Sequence, residues 1–200
     1  MDNRIGHILE YAARLKEEKL CGENDYIALR IDDKDMYVTK GALGSLTESD
    51  VVRESYKKGV TAAAVIFNTY DVNAIIYSHP EKSCVVAKSG RTIVASLDDM
   101  AQIVGYKCKV CQNRADKIIP ALKGANSILI KDDGALTTGR TLDEAFTCMM
   151  VLEKAARVFV AGSVLGGCKH IGAFDARLMR LVYKLKYSKK NQKNKSQEEM

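Results

Sequence analysis

The chain has 200 residues, 46% of them hydrophobic, and a formal net charge of +6 at pH 7. This length and hydrophobic content are sufficient for one globular domain with its own core. The sequence contains no run of about 18 apolar residues, so we predict no membrane span. Two acidic residues within the first ten do not fit a signal peptide, and we expect a cytoplasmic protein.

The positive charge is concentrated near the C-terminus. From Lys184 onward the chain has six lysines against two glutamates, a net of +4, which leaves +2 of the total of +6 for the remainder. No stripe of basic and aromatic residues occurs elsewhere, so we predict no nucleic-acid binding. We expect residues 1–187 to form a single domain and residues 188–200 a basic, disordered tail.

Helical and strand patterns follow one another in the first half of the chain. Apolar residues recur at helical spacing over residues 4–19, and the polar turn 21–25 ends that helix. Residues 26–31 and 36–39 alternate like the strands of a hairpin, and Thr47 begins a short helix. Further patterns predict helices at 60–68 and 81–87 and strands at 73–78 and 92–97.

The second half contains the longest helical pattern. Residues 114–123 form a predicted helix that contains Pro120. A strand at 127–130 leads through a glycine turn into a second strand. Thr141 and Glu144 follow at capping-box spacing and begin a helix at 142–165, and a last helix is predicted at 173–187. Hairpin-like strand pairs among helices predict an α/β fold with a mixed, largely antiparallel sheet.

Four stretches of the chain carry a family pattern in a fixed order. The first is MYVTKG followed by LTESDVV, the second is YDVNAII, the third contains DDGALTTGRTLDEA, and the fourth is MVLEKAA. Together they resemble the class II aldolase/adducin family over residues 8–167. The resemblance implies a three-layer α/β/α sandwich with a mixed, mostly antiparallel central sheet. It also implies a homo-oligomer, a cyclic tetramer with sites at the subunit interfaces.

The metal positions of that family are altered in this chain. The family holds a catalytic zinc with a His-x-His on one strand and a His-Gly on another, and the matching positions here are Tyr77, His79 and Asp133. A phenol, with an ordinary pKa of about 10, is a poor ligand at neutral pH. A carboxylate can bind zinc, manganese or magnesium. Two alternatives follow: a divalent metal on an altered ligand set, or no metal.

The resemblance also implies positions for catalysis and substrate binding. The family's acid/base glutamate opens the helix before the metal strand, and counting back from Asn73 places Lys58 there. Lys40 and Gly41 match the family's phosphate-binding Thr-Gly pair. Simpler structural interpretations exist, because Lys58 fits an exposed helix end and Asp133 is a common turn residue.

Six cysteines in a cytoplasmic chain are expected to be free thiols. Cys108, Cys111, Cys168 and His170 would make a three-Cys, one-His zinc set by residue type. The second pair has only one intervening residue and lies far along the chain, so scattered thiols are the preferred interpretation.

The altered positions predict a divergent family member that binds a small phosphorylated, sugar-like ligand with weak or no aldolase activity. In this hypothesis the ammonium of Lys58 lies beside Asp133 and replaces the charge of the metal. The alternative is an active metal-dependent sugar-phosphate aldolase that uses His79, Asp133 and Tyr77. A third hypothesis is a scaffold role, as in the adducin head.

Overall fold

The computed structural model describes the backbone of residues 2–198 and the side chains of residues 2–186. Eight strands form its central sheet. In chain order they are β1 (Tyr26–Arg30), β2 (Asp35–Thr39), β3 (Val51–Ser55), β4 (Ala74–Ser78), β5 (Ile93–Val94), β6 (Lys107–Cys111), β7 (Ser127–Ile130) and β8 (Ala135–Gly139). Across the sheet they lie in the order β3-β2-β1-β4-β8-β7-β6-β5.

The sheet is mixed and mostly antiparallel, as the sequence predicts. The pair β6 and β7 is parallel, and the other neighbouring strands are antiparallel. A parallel pair needs a crossover connection, and the helix between β6 and β7 provides it.

Helices cover both faces of the sheet. They are α1 (Asn3–Glu17), α2 (Ala62–Thr69), α3 (Glu81–Ser89), α4 (Ala115–Leu122), α5 (Leu142–Val164) and α6 (Ala173–Glu198). Helices α1, α3 and α5 contribute to the core on one face, and α2 and α4 to the core on the other. This arrangement confirms the predicted α/β/α sandwich. None of the helices in the described residues has the length and apolar character to cross a membrane.

The central strands are apolar along their whole length because both of their faces are covered. Ile76 and Leu129 belong to the core of α1, α3 and α5, whereas their neighbours Ile75 and Ile128 belong to the core of α2 and α4. All four side chains are fully buried. Successive strand residues point to opposite faces, so a strand buried on both faces shows a continuous apolar run.

A buried glutamate joins two helices on one face of the sheet. The carboxylate of Glu153, in the middle of α5, accepts hydrogen bonds from the backbone N–H groups of Lys82 and Ser83, each at 2.8 Å. It also accepts a bond from the Ser83 hydroxyl at 2.8 Å. A negative charge is favourable at a helix N-terminus, so Glu153 holds the start of α3 just after the end of β4.

Several predicted boundaries differ from the structure. Strands β3 and β6 have no counterpart in the prediction, and the strand predicted at 92–97 is reduced to Ile93–Val94. The last helix, predicted to end at Tyr187, continues to Glu198. Side chains from 187 onward and residues 199 and 200 lie outside the described residues, so the disorder predicted for residues 188–200 stays a prediction.

Candidate functional site

The three altered metal positions come together at one end of the sheet. Tyr77 lies in β4, His79 follows the end of that strand, and Asp133 lies in the turn between β7 and β8. Antiparallel pairing of β4 with β8 places Ser78 opposite Ala135. As a result His79 Nε2 is 2.7 Å from Asp133 Oδ1. The Tyr77 and His79 rings meet edge to face with their centroids 5.2 Å apart.

The turn that carries Asp133 depends on a glycine. Asp132 adopts a left-handed conformation with φ +60°, which aspartate tolerates better than most residues. A Cβ atom on Gly134 would lie 2.5 Å from the Ser78 carbonyl oxygen and 3.0 Å from His79 Cδ2. Only glycine therefore allows this close approach of the turn to the end of β4.

A fourth residue, Asp25, belongs to the same cluster. The sequence predicts only a turn at this position and no role in the site. Its side chain is completely buried, and Asp25 Oδ1 lies 2.5 Å from His79 Nδ1. The other carboxylate oxygen accepts hydrogen bonds from the Gly22 N–H at 2.6 Å and from the Ser78 hydroxyl at 3.1 Å. The imidazole of His79 is thus bonded to a carboxylate at each nitrogen.

These contacts change the pKa values of the cluster. Burial alone would lower the pKa of His79, but the hydrogen bonds with Asp133 and Asp25 outweigh burial and raise it. Burial alone would raise the pKa of Asp133, but the hydrogen bonds with Tyr77 and His79 lower it. Burial and the adjacent Asp133 raise the pKa of Tyr77. The arrangement therefore favours an imidazolium between two carboxylates, with a protonated phenol beside Asp133.

We expect the contribution of His79 to stability to depend on pH. Its raised pKa means that the stabilisation is present below the ordinary histidine pKa of about 6.5 and is lost as pH rises through the folded-state value. The lowered pKa of Asp133 means that its contribution is present above about 3.9 and is lost as pH falls through the folded-state value. Urea unfolding of the wild-type protein and His79→Gln should show the largest difference in unfolding free energy between about pH 4 and pH 6.5. A difference that stays constant up to alkaline pH would contradict this assignment.

As arranged, the cluster differs from the three-histidine zinc site implied by the family resemblance. His79 Nε2 is bonded directly to Asp133, His79 Nδ1 is bonded to Asp25, and the raised pKa of Tyr77 keeps the phenol protonated. Among the residues that the structure describes, no group of three or more His, Cys, Asp or Glu side chains is placed to hold a metal ion.

The cysteine and histidine set suggested by residue type is also not assembled within that part of the chain. All six cysteines are free thiols, as expected. Cys108 is fully buried in the core and accepts a hydrogen bond from the Ser127 hydroxyl. Cys168 packs instead against Gly162, where an added Cβ would overlap its sulfur.

A cavity of about 820 Å³ opens beside the cluster. Lys40, Gly41, Asp25 and Tyr77 line it, whereas His79 and Asp133 are not among its lining residues in the described part of the chain. Lys40 Nζ pairs with Glu54 Oε1 at 2.8 Å, and both side chains are exposed to solvent by more than a third. Such a pair contributes little to stability, so the ammonium can exchange its partner for a ligand.

The structure does not bring the predicted catalytic residue to the cavity. Lys58 is exposed, does not line the cavity, and has no ion pair with Asp133 among the described residues. The helix before β4 begins later, at Ala62, with the Thr61 side chain accepting a hydrogen bond from the Ala64 N–H. The start of this helix is therefore closer to Asn73 in the sequence than Lys58 is. The residues that open the helix, Thr61 and Ala62, carry no acid or base.

The mixed sheet between two helical layers, with a cavity beside the end of β4, defines an α/β protein of the class II aldolase type. The model of the "Class II Aldolase and Adducin N-terminal domain" matches residues 26–160. The chain therefore belongs to the class II aldolase/adducin family.

Solved structures show the same fold at low sequence identity. An L-fuculose 1-phosphate aldolase superposes with a TM-score of 0.83 at 19% identity, over 92% of this chain and 97% of the other. The L-fuculose 1-phosphate aldolase from Glaciozyma antarctica gives 0.74 at 17% identity, over 88% and 79%. The l-fuculose-1-phosphate aldolase from Thermus Thermophilus gives 0.70 at 15% identity, over 84% and 100%. Comparison with curated proteins gives no match.

Proposed function

We propose that this protein is a divergent class II aldolase/adducin-family member that binds a small phosphorylated, sugar-phosphate-like ligand and has weak or no aldolase activity. The observation that carries the proposal is the bonding of His79, whose two ring nitrogens each meet a carboxylate. In this arrangement the side chains at the altered metal positions contact one another. The neighbouring cavity stays open to a ligand.

Lys40 and Gly41 are the proposed phosphate-binding residues. The Lys40 ammonium lies at the cavity, and Gly41, with φ +117°, leaves its backbone free of a side chain there. The first turn of α2 faces the same cavity through Ala62 and Ala63. The first N–H groups of a helix have no intrahelical acceptor and favour an anion. The cavity volume lies within the usual range for sites that bind small molecules.

The proposed lack of efficient catalysis rests on two missing groups. Aldol cleavage in this family needs a Lewis acid at the carbonyl and a group that transfers protons. In this proposal the cluster of Tyr77, His79 and Asp133 holds no metal because its side chains bond to one another. The start of α2 offers no acid or base at Ala62.

We also propose a homo-oligomer, a tetramer by family resemblance, located in the cytoplasm and without nucleic-acid partners. One face of α6 supports a subunit contact because several large apolar side chains on it are exposed. Exposed apolar patches commonly mark protein contacts. The side chains are Phe174, Leu178, Leu181, Val182 and Leu185.

The phosphate assignment predicts a loss of affinity when Lys40 is shortened. A hydrogen bond to a charged group contributes about 1.5–3 kcal/mol, so Lys40→Ala should weaken glycerol phosphate binding by about tenfold to a hundredfold. Isothermal titration calorimetry measures this change. The matched control is Lys58→Ala, which removes a neighbouring exposed lysine outside the cavity and should leave the affinity unchanged. Equal losses in both variants would show a nonspecific charge effect and refute the site.

The second candidate function is an active metal-dependent sugar-phosphate aldolase. It is favoured by the bond from His79 Nδ1 to the buried Asp25, because metal-binding histidines commonly have their second nitrogen bonded to a carboxylate. Cleavage of L-fuculose 1-phosphate can be measured with zinc, manganese or magnesium added. Turnover that requires one of these ions and disappears in Asp133→Ala would establish this alternative over the proposal.

A further inference from the structure

The floor of the cavity beside Lys40 is apolar. It is built from strand and helix residues that also belong to the core shared with α2 and α4. These side chains are all buried and come from β2, α2, β7 and β8. They are Met36, Val38, Ala63, Ile130 and Leu136.

Two tyrosine rings extend this apolar surface. Tyr26 and Tyr77 both line the cavity, and their rings are stacked with centroids 5.2 Å apart and an interplanar angle of 21°. The Tyr77 hydroxyl lies near Asp133, and burial together with Asp133 raises the pKa of Tyr77. Asp133 does not line the cavity in the described part of the chain. The surface that Tyr77 contributes to the cavity is therefore mainly its aromatic ring and not its hydroxyl.

Polar groups of the cavity lie mainly around its rim. Lys40, Asn24, Thr61 and Asn113 are exposed lining residues. Glu23 and Glu54 also line the cavity, and Glu54 is paired with Lys40. Val60 lies beside them and is 90% exposed. An isolated exposed valine needs no explanation, but Val60 adds apolar surface at the rim of a cavity that already has an apolar floor.

We propose that the ligand is a phosphate monoester with an apolar body about the size of an aromatic ring. The inference rests on the proposed function for the phosphate group, and it replaces the sugar-like part of that ligand with an apolar one. The hydroxyl groups of a free sugar chain would lose water on this floor without gaining hydrogen-bond partners. An apolar body gains from leaving water in the same place. The anionic head lies at Lys40, and the body contacts Val38 and the Tyr77 ring.

The test compares two phosphate monoesters of equal charge by isothermal titration calorimetry. Phenyl phosphate has an apolar ring, and glycerol phosphate has a hydrophilic chain. Burial of a ring predicts that phenyl phosphate binds at least about tenfold more tightly. Val60→Ser and Val38→Thr should each reduce this preference by about threefold or more. The matched control is Val164→Ser, at a valine that is 83% exposed and lies outside the cavity, and it should keep the full preference.

The outcomes separate this inference from the proposed function. If both esters bind equally and Lys40→Ala weakens both, the phosphate site stands and the apolar body is refuted. If neither ester binds, both proposals fail. If phenyl phosphate is preferred but Val60→Ser and Val38→Thr keep the full preference, the ring binds elsewhere and the inference is overturned. Val60→Ser changes an exposed side chain, so it keeps the test valid even if Val38→Thr fails to fold.

Discussion

Asp25→Asn is expected to lower the free energy of unfolding by about 3–5 kcal/mol near pH 6. Hydrogen bonds to a charged group contribute about 1.5–3 kcal/mol each, and the buried carboxylate has three such partners, His79, the Gly22 N–H and the Ser78 hydroxyl. His79 keeps its second partner, Asp133, in the variant. The substitution keeps the shape of the side chain and removes its charge. The effect therefore reports the loss of the charge and of its hydrogen bonds, and not a packing defect.

The size of this effect follows from the contacts of Asp25. Its carboxylate is completely buried and meets His79 Nδ1, the Gly22 N–H and the Ser78 hydroxyl within 3.1 Å. The single proton of the Ser78 hydroxyl is shared between the Asp25 carboxylate and the Leu20 carbonyl, both of which lie within hydrogen-bond distance. The carboxylate thus connects the turn after α1 to the end of β4, two segments that are far apart in the sequence.

Urea unfolding and thermal melting both measure the change. For a chain of this length, each kcal/mol corresponds to about 2–4 °C in the melting temperature, so a decrease of roughly 10 °C is expected. Asp133→Asn is the control, since its side chain is 39% exposed and an exposed pair contributes at most about 1 kcal/mol. Similar losses in the two variants would contradict the central role given to Asp25.

The double variant Tyr77→His/Asp133→His is expected to bind zinc much more tightly than the wild-type protein. Structural zinc sites with four protein ligands bind with about 10–16 kcal/mol, or roughly 3 kcal/mol per ligand. Two added imidazoles should therefore increase the affinity by at least about a hundredfold. Both substitutions lie at positions that already meet His79. Asp25 is placed to orient that imidazole through Nδ1.

Zinc affinity can be measured by competition with a coloured chelator, followed by metal analysis of the purified protein. Tyr77→Phe is the control, because it removes the phenol hydroxyl without adding a ligand and should leave the affinity at the wild-type level. A wild-type protein that already binds one zinc per chain as tightly as the double variant would refute the proposal that the altered residues do not hold the metal.

The elements with strong local periodicity could be predicted from the sequence. The helix α5 and the hairpin of β1 and β2 were found because their side chains follow a helical or alternating pattern. Strand β3 was missed because it lies at the edge of the sheet and several of its side chains are exposed. The sequence does not predict strand β6 because Lys107–Cys111 mixes lysine with cysteine. The three-layer arrangement came from the family resemblance, since local patterns do not determine which strands pair.

The site was predictable only where a motif fixed the residue numbers. The motif predicts that Tyr77, His79 and Asp133 lie together, and their contacts join them in the structure. Asp25 could not be found in this way, because its partner His79 lies 54 residues away in the chain. The sequence places Lys58 at the site by a residue count that passes back from Asn73 through a loop. Loop lengths vary, so such a count does not fix a position, and Lys58 lies outside the site.

The lack of space at Gly134 has a consequence for how this family can change its chemistry. Because no side chain fits between the turn and the end of β4, the main chain there keeps one path whatever residue precedes the glycine. A single codon change at position 133 can therefore exchange one reactive group for another at a fixed point in space.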